Sequence, residues 1–389
     1  MRQRHIGRFA AVAVAIALAV AGCSSSSSTS GGGSTPAASG GSSSGSCDVS
    51  LGFFGALTGQ YANLGVNIYD GVKLAIDQHN KKNPGCQVGL VKYDSQGSPD
   101  QAPALAQQAI NNPKVVGIVG PAFSGESKAA DPLFAQAGLT TITPSATNPK
   151  LADNGWKTFF RILGNDNAQG PAAAKYITNV LKATKVFVVD DASEYGKGLA
   201  DVVRKSLGSA VVGNDTVQSG QTDFSATVTK IKASGADAVY YGGYYPEAGL
   251  LVKQMRGAGV TATFVSDDGS KDPGFIQAAG GKDANGSILT CPCLPPDKAG
   301  GTFFADFKAA YGQEPGTYAA EGFDAANVFL AGIDAGKVTR ADLLSFVASY
   351  KGQGVTKQIS FDSKGEVSQV SVWAYKVENG QIVADQVIN

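Results

Sequence analysis

Histidine is nearly absent from this chain. Two occur in 389 residues, His5 and His79, and His5 lies in an N-terminal leader. The single remaining imidazole, in the polar stretch DQHNKKN, reads as a solvated surface residue. It leaves no basis for a Ser-His-Asp triad or a histidine-rich metal site. An excess of either charge is also missing: 32 Lys and Arg balance 32 Asp and Glu. With no basic block, nucleic acid and acidic surfaces are excluded as partners. Nucleotide-cradling motifs are absent: there is no G-x-x-x-x-G-K-[ST], and the glycines of GALTGQYANLG are too widely spaced for a dinucleotide fingerprint. Past the leader, no apolar run is long enough to span a bilayer. Nothing in the sequence pairs two carboxylates for acid–base work. These absences argue against an enzyme, and no metal or cofactor is expected.

What is present begins at the N-terminus. Arg2, Arg4 and Arg8 precede an apolar run from Phe9 to Ala21, and small residues lead directly into Cys23. This reads as a secretory signal over residues 1–22, too short and wrongly flanked for a transmembrane helix. The cysteine at the cleavage point resembles a bacterial lipobox. Cys23 would then be the lipidated first residue, and acyl chains alone would hold the protein on a membrane. The segment that follows, through residue 46, is nearly all Ser and Gly. It cannot bury enough apolar surface to fold and predicts a flexible tether spanning roughly 25 Å. Export implies an oxidising setting in which the other cysteines pair. Cys47 opens the strand-like CDVSLGFFG and Cys86 opens CQVGLVKYD. Neighbouring parallel strands starting at one edge would join them. Cys291 and Cys293, in TCPC, leave two readings open, a bridge across one residue or metal binding.

Residues 47–389 are too many for one comfortable core and predict two lobes. Short apolar runs alternate with amphipathic helical stretches: VSLGFFG then NIYDGVKLAIDQHN, QVGLVKYD then DQAPALAQQAINN, KVFVVD then YGKGLADVVRKSL. Such repetition predicts doubly wound α/β lobes with parallel sheets covered by helices. RILGNDNAQGP and TCPCLPP break the rhythm and suit crossovers between lobes, with a third near Lys357. The expected lobes are 47–165 plus 294–357 and 166–293 plus 358–389. GFDAANVFLAGIDAG is a helix expected to return to the first lobe, and the C-terminus reads as hairpins with DSKG and ENG turns.

Ligands of open parallel sheets bind beyond the carboxyl ends of the strands. After VVGIVG comes Pro121-Ala122-Phe123-Ser124-Gly125, where a hydroxyl and free N–H groups at a helix start suit an anion or, more simply, cap the helix. After TTIT comes a second hydroxyl-rich turn, Pro144-Ser145-Ala146-Thr147-Asn148. Other strand ends carry Ser193-Glu194-Tyr195, Gly242-Gly243-Tyr244 and Asp268-Gly269. Asp268 suits a ligand ammonium, or is a plain turn residue. In YYGGYYPEAG, Tyr240 and Tyr241 finish a strand under helices and belong to the core, whereas Tyr244 is the first large side chain past the sheet edge.

At these residues the chain resembles the substrate-binding proteins of branched-chain amino-acid ABC transporters. The resemblance covers residues 48 to about 380. It rests on GALTGQYANLG, KYDSQGSPDQA, ITPSATNPKL, FRILGNDNAQGPAAAKYI, YGKGLA and VYYGGYYPEAG. It implies the periplasmic binding protein type I fold, two lobes joined by three crossovers and closing on ligand in the cleft between them. It implies that Ser124 and Thr147 meet a ligand carboxylate. The ammonium would meet a carbonyl near Ser145 or Ala146 together with Asp268, with Tyr195 and Tyr244 closing over the ligand. Leu64, Ala122, Phe123 and Phe323 would form the side-chain pocket. Asp268 stands where leucine-type members usually carry Glu, and Leu64 and Phe323 where they often carry an aromatic residue and a tyrosine. Phe123 replaces a cysteine whose partner position is Gly97 here, so that first-lobe disulfide is missing. The implied partners are an aliphatic amino acid and the permease subunits of an ABC transporter, with the protein a lipid-anchored monomer on the outer face of the cytoplasmic membrane. A ligand-sensing module for an amino acid, amide or aromatic acid is the alternative.

Overall fold

A computed structural model of the chain describes residues 47–388. The leader, Cys23 and the tether lie outside them. Two sheets organise the chain. The first contains β1 (Ser50–Gly55), β2 (Gly89–Asp94), β3 (Val115–Val119), β4 (Thr140–Thr143) and β5 (Phe159–Arg161), in the order β2-β1-β3-β4-β5 and wholly parallel. The second contains β6 (Val186–Asp190), β7 (Val211–Thr216), β8 (Ala238–Gly242), β9 (Thr263–Ser266) and β10 (Ile288–Cys291). Here β11 (Lys351–Gln353) and β12 (Gln358–Ser360) pair only with each other, and β13 (Val372–Glu378) and β14 (Gln381–Ile388) complete the second sheet. Its order is β14-β13-β10-β9-β8-β6-β7, parallel except for the antiparallel β13 and β14. The central strands β1, β3, β6 and β8 are buried along their whole length. That is why they read as unbroken apolar runs: helices cover both faces of a parallel sheet.

The helices are α1 (Ala62–Lys82), α2 (Ala102–Asn111), α3 (Ser124–Ala137), α4 (Asp166–Lys175), α5 (Glu194–Leu207), α6 (Ser225–Ser234), α7 (Tyr245–Gly257), α8 (Pro273–Ala278), α9 (Phe303–Tyr311), α10 (Ala319–Asp334) and α11 (Arg340–Ala348). α10 is apolar almost all round and packs along α1, so GFDAANVFLAGIDAG does return to the first lobe. That packing corrects the reading of His79. Its imidazole is buried on the face of α1 that meets α10, and its Nε2 lies 2.8 Å from Asp334 Oδ1 at the end of α10. The polar neighbours in DQHNKKN belong to the other faces of the helix.

Cys47 and Cys86 are bridged, as are Cys291 and Cys293. The bridge also removes a three-ligand metal reading of His79, Cys86 and Asp334, whose ligand-type atoms lie within 4.8 Å of one another, because the Cys86 sulfur is bonded to Cys47. Among the described residues no helix is long and apolar enough to cross a membrane.

The crossings meet at one place. A Cβ on Gly164 would stand 2.3 Å from Val370 Cγ1 and 3.3 Å from Pro292 Cβ, so a side chain there would force the segments apart. The first turns of α10 hold the crossing segments. Leu294 N–H donates to Glu321 Oε1 at 3.0 Å, and Val355 and Thr356 N–H donate to the Asp324 carboxylate at 2.7 and 2.9 Å. Lys357 Nζ donates to the Ile162 carbonyl at 3.1 Å. The β11–β12 hairpin straddles residue 357, and Glu366 is bridged to Arg161 beside β5.

Candidate ligand-binding cleft

The loops after β3, β4, β6, β8 and β9 converge at the carboxyl ends of the two sheets, around a narrow cavity of about 20 Å³. Of the residues singled out in the sequence, Leu64, Ala122, Phe123 and Ser124 line it from one lobe together with Ser145, and Tyr195, Tyr244 and Asp268 line it from the other.

The first-lobe side is a donor surface. α3 begins at Ser124, and the leading N–H groups of a helix have no intrahelical acceptor. Ser124 is therefore inside the first turn rather than capping it. Its Oγ accepts from Asn148 N–H at 3.3 Å, which leaves its own proton to donate. Behind the turn, Glu126 accepts from Phe123 N–H at 3.2 Å and from Ser95. Burial pushes the Glu126 carboxyl up to about 8. The Ser145 hydroxyl donates to the Ala122 carbonyl at 2.6 Å and ties the two turns together. Arg161, fully buried, donates to the carbonyls of Ala146 and Asn148 at 3.0 and 2.8 Å and is paired with Glu366. This guanidinium fixes the 146–148 turn.

The second-lobe side is an acceptor. Asp268 Oδ1 receives the Tyr195 hydroxyl at 2.7 Å and Oδ2 receives the Tyr318 hydroxyl at 2.5 Å. Burial raises its carboxyl while the two phenols pull it back. The neighbouring Asp267 is driven well up by burial and then by Asp268. One of its oxygens has no partner among the described residues. Asp268 is thus the member of the pair equipped to carry charge. Tyr244 closes the aromatic wall, its ring centroid 4.5 Å from Tyr61, 5.2 Å from Tyr195 and 5.5 Å from Phe123. Tyr240 and Tyr241 are fully buried core residues. Behind this turn, Gly242 lets β8 approach α5: a Cβ there would lie 2.4 Å from the Gly196 carbonyl.

Three residues singled out in the sequence are not on the cavity wall. Ala146 packs with Leu151, Ala152 and Phe159. Thr147 is buried, and its hydroxyl is turned to the Asp166 carboxylate. Phe323 packs edge-on against Phe303 at 5.1 Å and lines a separate groove with Gly354 and Val355. The aromatic residue that the α10 segment brings to the cavity is instead Tyr318, five positions earlier. At 100° per residue that interval turns α10 well away from the cleft. Tyr318 has φ +67°, a left-handed conformation uncommon for a bulky residue. Ile68 also lines the cavity. It follows Leu64 by one helical turn, a spacing that sequence reasoning can use. Asp166 is a further residue the sequence reading missed. It is fully buried, and burial, opposed by the Thr147 hydroxyl and reinforced by Asp268, pushes it up to about 7.

The lobes touch on both sides of the cleft. On one side Asn148 Nδ2 donates to the Glu194 carbonyl at 2.7 Å, and Lys128 pairs with the Glu194 carboxylate at 2.7 Å.

Comparison with known proteins follows the same lines. The family described as periplasmic binding protein matches residues 48–381. An amino acid binding protein of Pseudomonas aeruginosa is 37% identical over 330 residues, 82% of this chain and 87% of that protein. The Leu/Ile/Val-binding protein BraC3 of Rhizobium johnstonii is 33% identical over 346 residues, 87% and 94% of the two chains. Among solved structures, the leucine binding protein LivK of Thermotoga maritima superposes with TM-score 0.81 at 29% identity, covering 88% of this chain and 99% of that one. The branched-chain amino acid transporter substrate binding protein LivJ of Streptococcus pneumoniae, in complex with isoleucine, gives 0.82 at 30% identity, covering 87% and 99%.

Proposed function

The chain belongs to the periplasmic binding protein family, and we propose that it captures a free amino acid, aliphatic in side chain, and hands it to an ABC permease. Members of this family bind substrates and are not enzymes. The observation that carries the reading is the opposition of two complementary half-sites across one small cavity. The α3 N-terminus with Ser124 faces a carboxylate, and Asp268 faces an ammonium. A zwitterion satisfies both, and its side chain falls among Leu64, Ile68, Phe123 and Tyr244. The Ser145 carbonyl is the better second acceptor for the ammonium, because Arg161 already donates to Ala146. Asp268 is shorter than Glu by one methylene, so its contact with the ammonium runs longer or through water.

Closure follows from linkage. Contacts to both half-sites exist together only when the lobes are shut, so ligand shifts the open–closed equilibrium by its differential affinity. The lobe boundaries at 165/166 and 293/294 belong to the same reading. For the third crossing we propose residues 368–371 in place of 357/358, supported by the bonds of Val355 and Thr356 to Asp324 and of Glu366 to Arg161. Lipidation at Cys23, the tether, the monomeric state and the membrane location complete the proposal.

The test is calorimetry across the twenty amino acids. Micromolar or tighter binding of an aliphatic member is the expected result. If no amino acid binds below about 100 μM, a range spanning −5 to −6 kcal/mol, the transport-ligand reading fails.

A further inference from the structure

The segment leading into α1, with its first turn, makes a set of contacts that the ligand reading does not use. Gln60, Tyr61 and Asn63 belong to the first lobe, and all three are bonded to the second. The Gln60 carbonyl accepts from the Tyr245 hydroxyl, and Gln60 Nε2 lies 3.3 Å from Ser219 Oγ. The Tyr61 hydroxyl is bonded to Ser219 Oγ and lies 3.4 Å from Glu247 Oε1. Asn63 Nδ2 donates to Asp272 Oδ1 at 2.9 Å. The second-lobe receptors are held by their own lobe. Glu247 Oε1 accepts from Gly220 N–H at 2.6 Å, and Asp272 Oδ1 accepts from Gly274 N–H at 2.7 Å. Glu247 and Asp272 are 1% and 2% exposed, so parting the lobes would uncover two carboxylates that are already preorganised. Gln60, Tyr61 and Asn63 do not line the cavity, whereas Leu64, one residue on, does.

We infer that residues 60–63 are a closure latch: positioning residues that set how tightly and how long ligand is held, through the shut state alone. The inference rests on the reading of ligand capture by closure. A group bonded across the cleft only when the lobes are shut stabilises that state and slows reopening. Encounter of ligand with the open form is untouched, so the effect falls on release. Each hydrogen bond to a carboxylate should change affinity by roughly ten- to 150-fold.

The experiment uses the full mature chain with L-leucine as probe, in stopped-flow fluorescence and small-angle X-ray scattering. Asn63→Asp sets a carboxylate against Asp272 and should raise the release rate about tenfold or more with the association rate unchanged. It should also enlarge the ligand-free radius of gyration. Adding Asp272→Asn re-forms an amide–carboxylate hydrogen bond with the partners exchanged, and should restore both quantities. Tyr61→Phe keeps the ring on Tyr244 and removes the hydroxyl; faster release is expected there too. If Asn63→Asp does not fold, Asn63→Ala replaces it. Unchanged release and radius in the single variants, or a double variant no better than Asn63→Asp, would overturn the latch. If leucine does not bind the unmodified protein, the ligand reading is what has failed for that probe, and the ligand-free radius alone decides the latch.

Discussion

Asp268→Asn separates the binding role of this residue from its structural one. In the ligand-free protein the carboxylate accepts two phenol hydroxyls, from Tyr195 at 2.7 Å and Tyr318 at 2.5 Å. An amide can re-satisfy both, its oxygen accepting one hydroxyl and its NH₂ donating to the other phenol oxygen. The substitution also removes the neighbour that helps push Asp267 up. Stability without ligand should therefore change by less than about 1 kcal/mol, the size of one neutral hydrogen bond. Binding has no such replacement. A bound ammonium loses its charged partner at a site 2% exposed to solvent, and truncating one partner of a buried charge pair costs about 2–4 kcal/mol. Affinity for a zwitterion should fall roughly 30- to 1,000-fold. Calorimetry with leucine, isoleucine and valine measures the affinity, and ligand-free thermal unfolding measures the fold. An unchanged dissociation constant would remove Asp268 from the site. A melting temperature lowered by many degrees with no ligand present would make it a structural residue.

Tyr244→Ala should weaken ligand binding by about 2 kcal/mol, the range for a truncated interface aromatic; a large fall in ligand-free melting temperature would instead mark its contacts with Tyr61 and Phe123 as core packing. Arg161→Met should lower stability by roughly 3 kcal/mol in denaturant unfolding, since it leaves the half-buried Glu366 without its partner and frees the 146–148 turn; a loss under 1 kcal/mol would show that the pair is replaceable. Glu126 is raised from 4.5 to about 8 on folding, so its contribution to stability is fully present below about pH 4.5 and is lost as pH rises through about 8. Glu126→Gln should remove up to one proton's worth of slope, about 1.4 kcal/mol per pH unit between those limits, and equal slopes in the two proteins would refute this. Replacing Cys47 and Cys86 by Ser opens a loop with a sequence separation of 39 and should cost about 4 kcal/mol by chain entropy, with ligand affinity unchanged.

The strands were legible because a parallel sheet buried on both faces demands continuous apolar runs, and VVGIVG and KVFVVD have no other use. The half-sites were legible because the loops after those strands must face the cleft. Ser124, Ser145, Tyr195, Tyr244 and Asp268 all lie within a few residues of a strand end. Tyr318 follows no strand. It precedes a first-lobe helix and reaches Asp268 only through the relative placement of two lobes, which no local pattern encodes. Asp166 sits at the first crossing, where the sequence shows a broken rhythm but not a buried carboxylate. His79 was misread because a polar neighbourhood in sequence says nothing of which helix face meets α10. Phe323 was placed at the cleft by resemblance, and the rotation of α10 assigns that place to Tyr318.

The two ends of the closing motion meet on one helix. α10 carries Tyr318 at its start, Glu321 in its first turn and Asp324 just beyond. Tyr318 reaches Asp268 in the other lobe, while Glu321 and Asp324 hold the second crossing and the segment that leads to the third. Glu321 and Asp324 are buried, so these anchors are not loosened by exchange with water as surface pairs are. A rotation of the lobes about the crossings leaves α10 with the first lobe and carries Asp268 with the second. The Tyr318–Asp268 contact therefore lengthens with any opening, whereas Glu321–Leu294 is close to the pivot and changes least. The phenol–carboxylate bond belongs to the shut state in the same way as the contacts of Tyr61 and Asn63, but it lies inside the cavity, on the carboxylate that a ligand ammonium would use. The rim contacts shift the closure equilibrium without choosing a ligand. On the proposed reading of the site, the contact at Asp268 is the one through which ligand chemistry and lobe position act on each other.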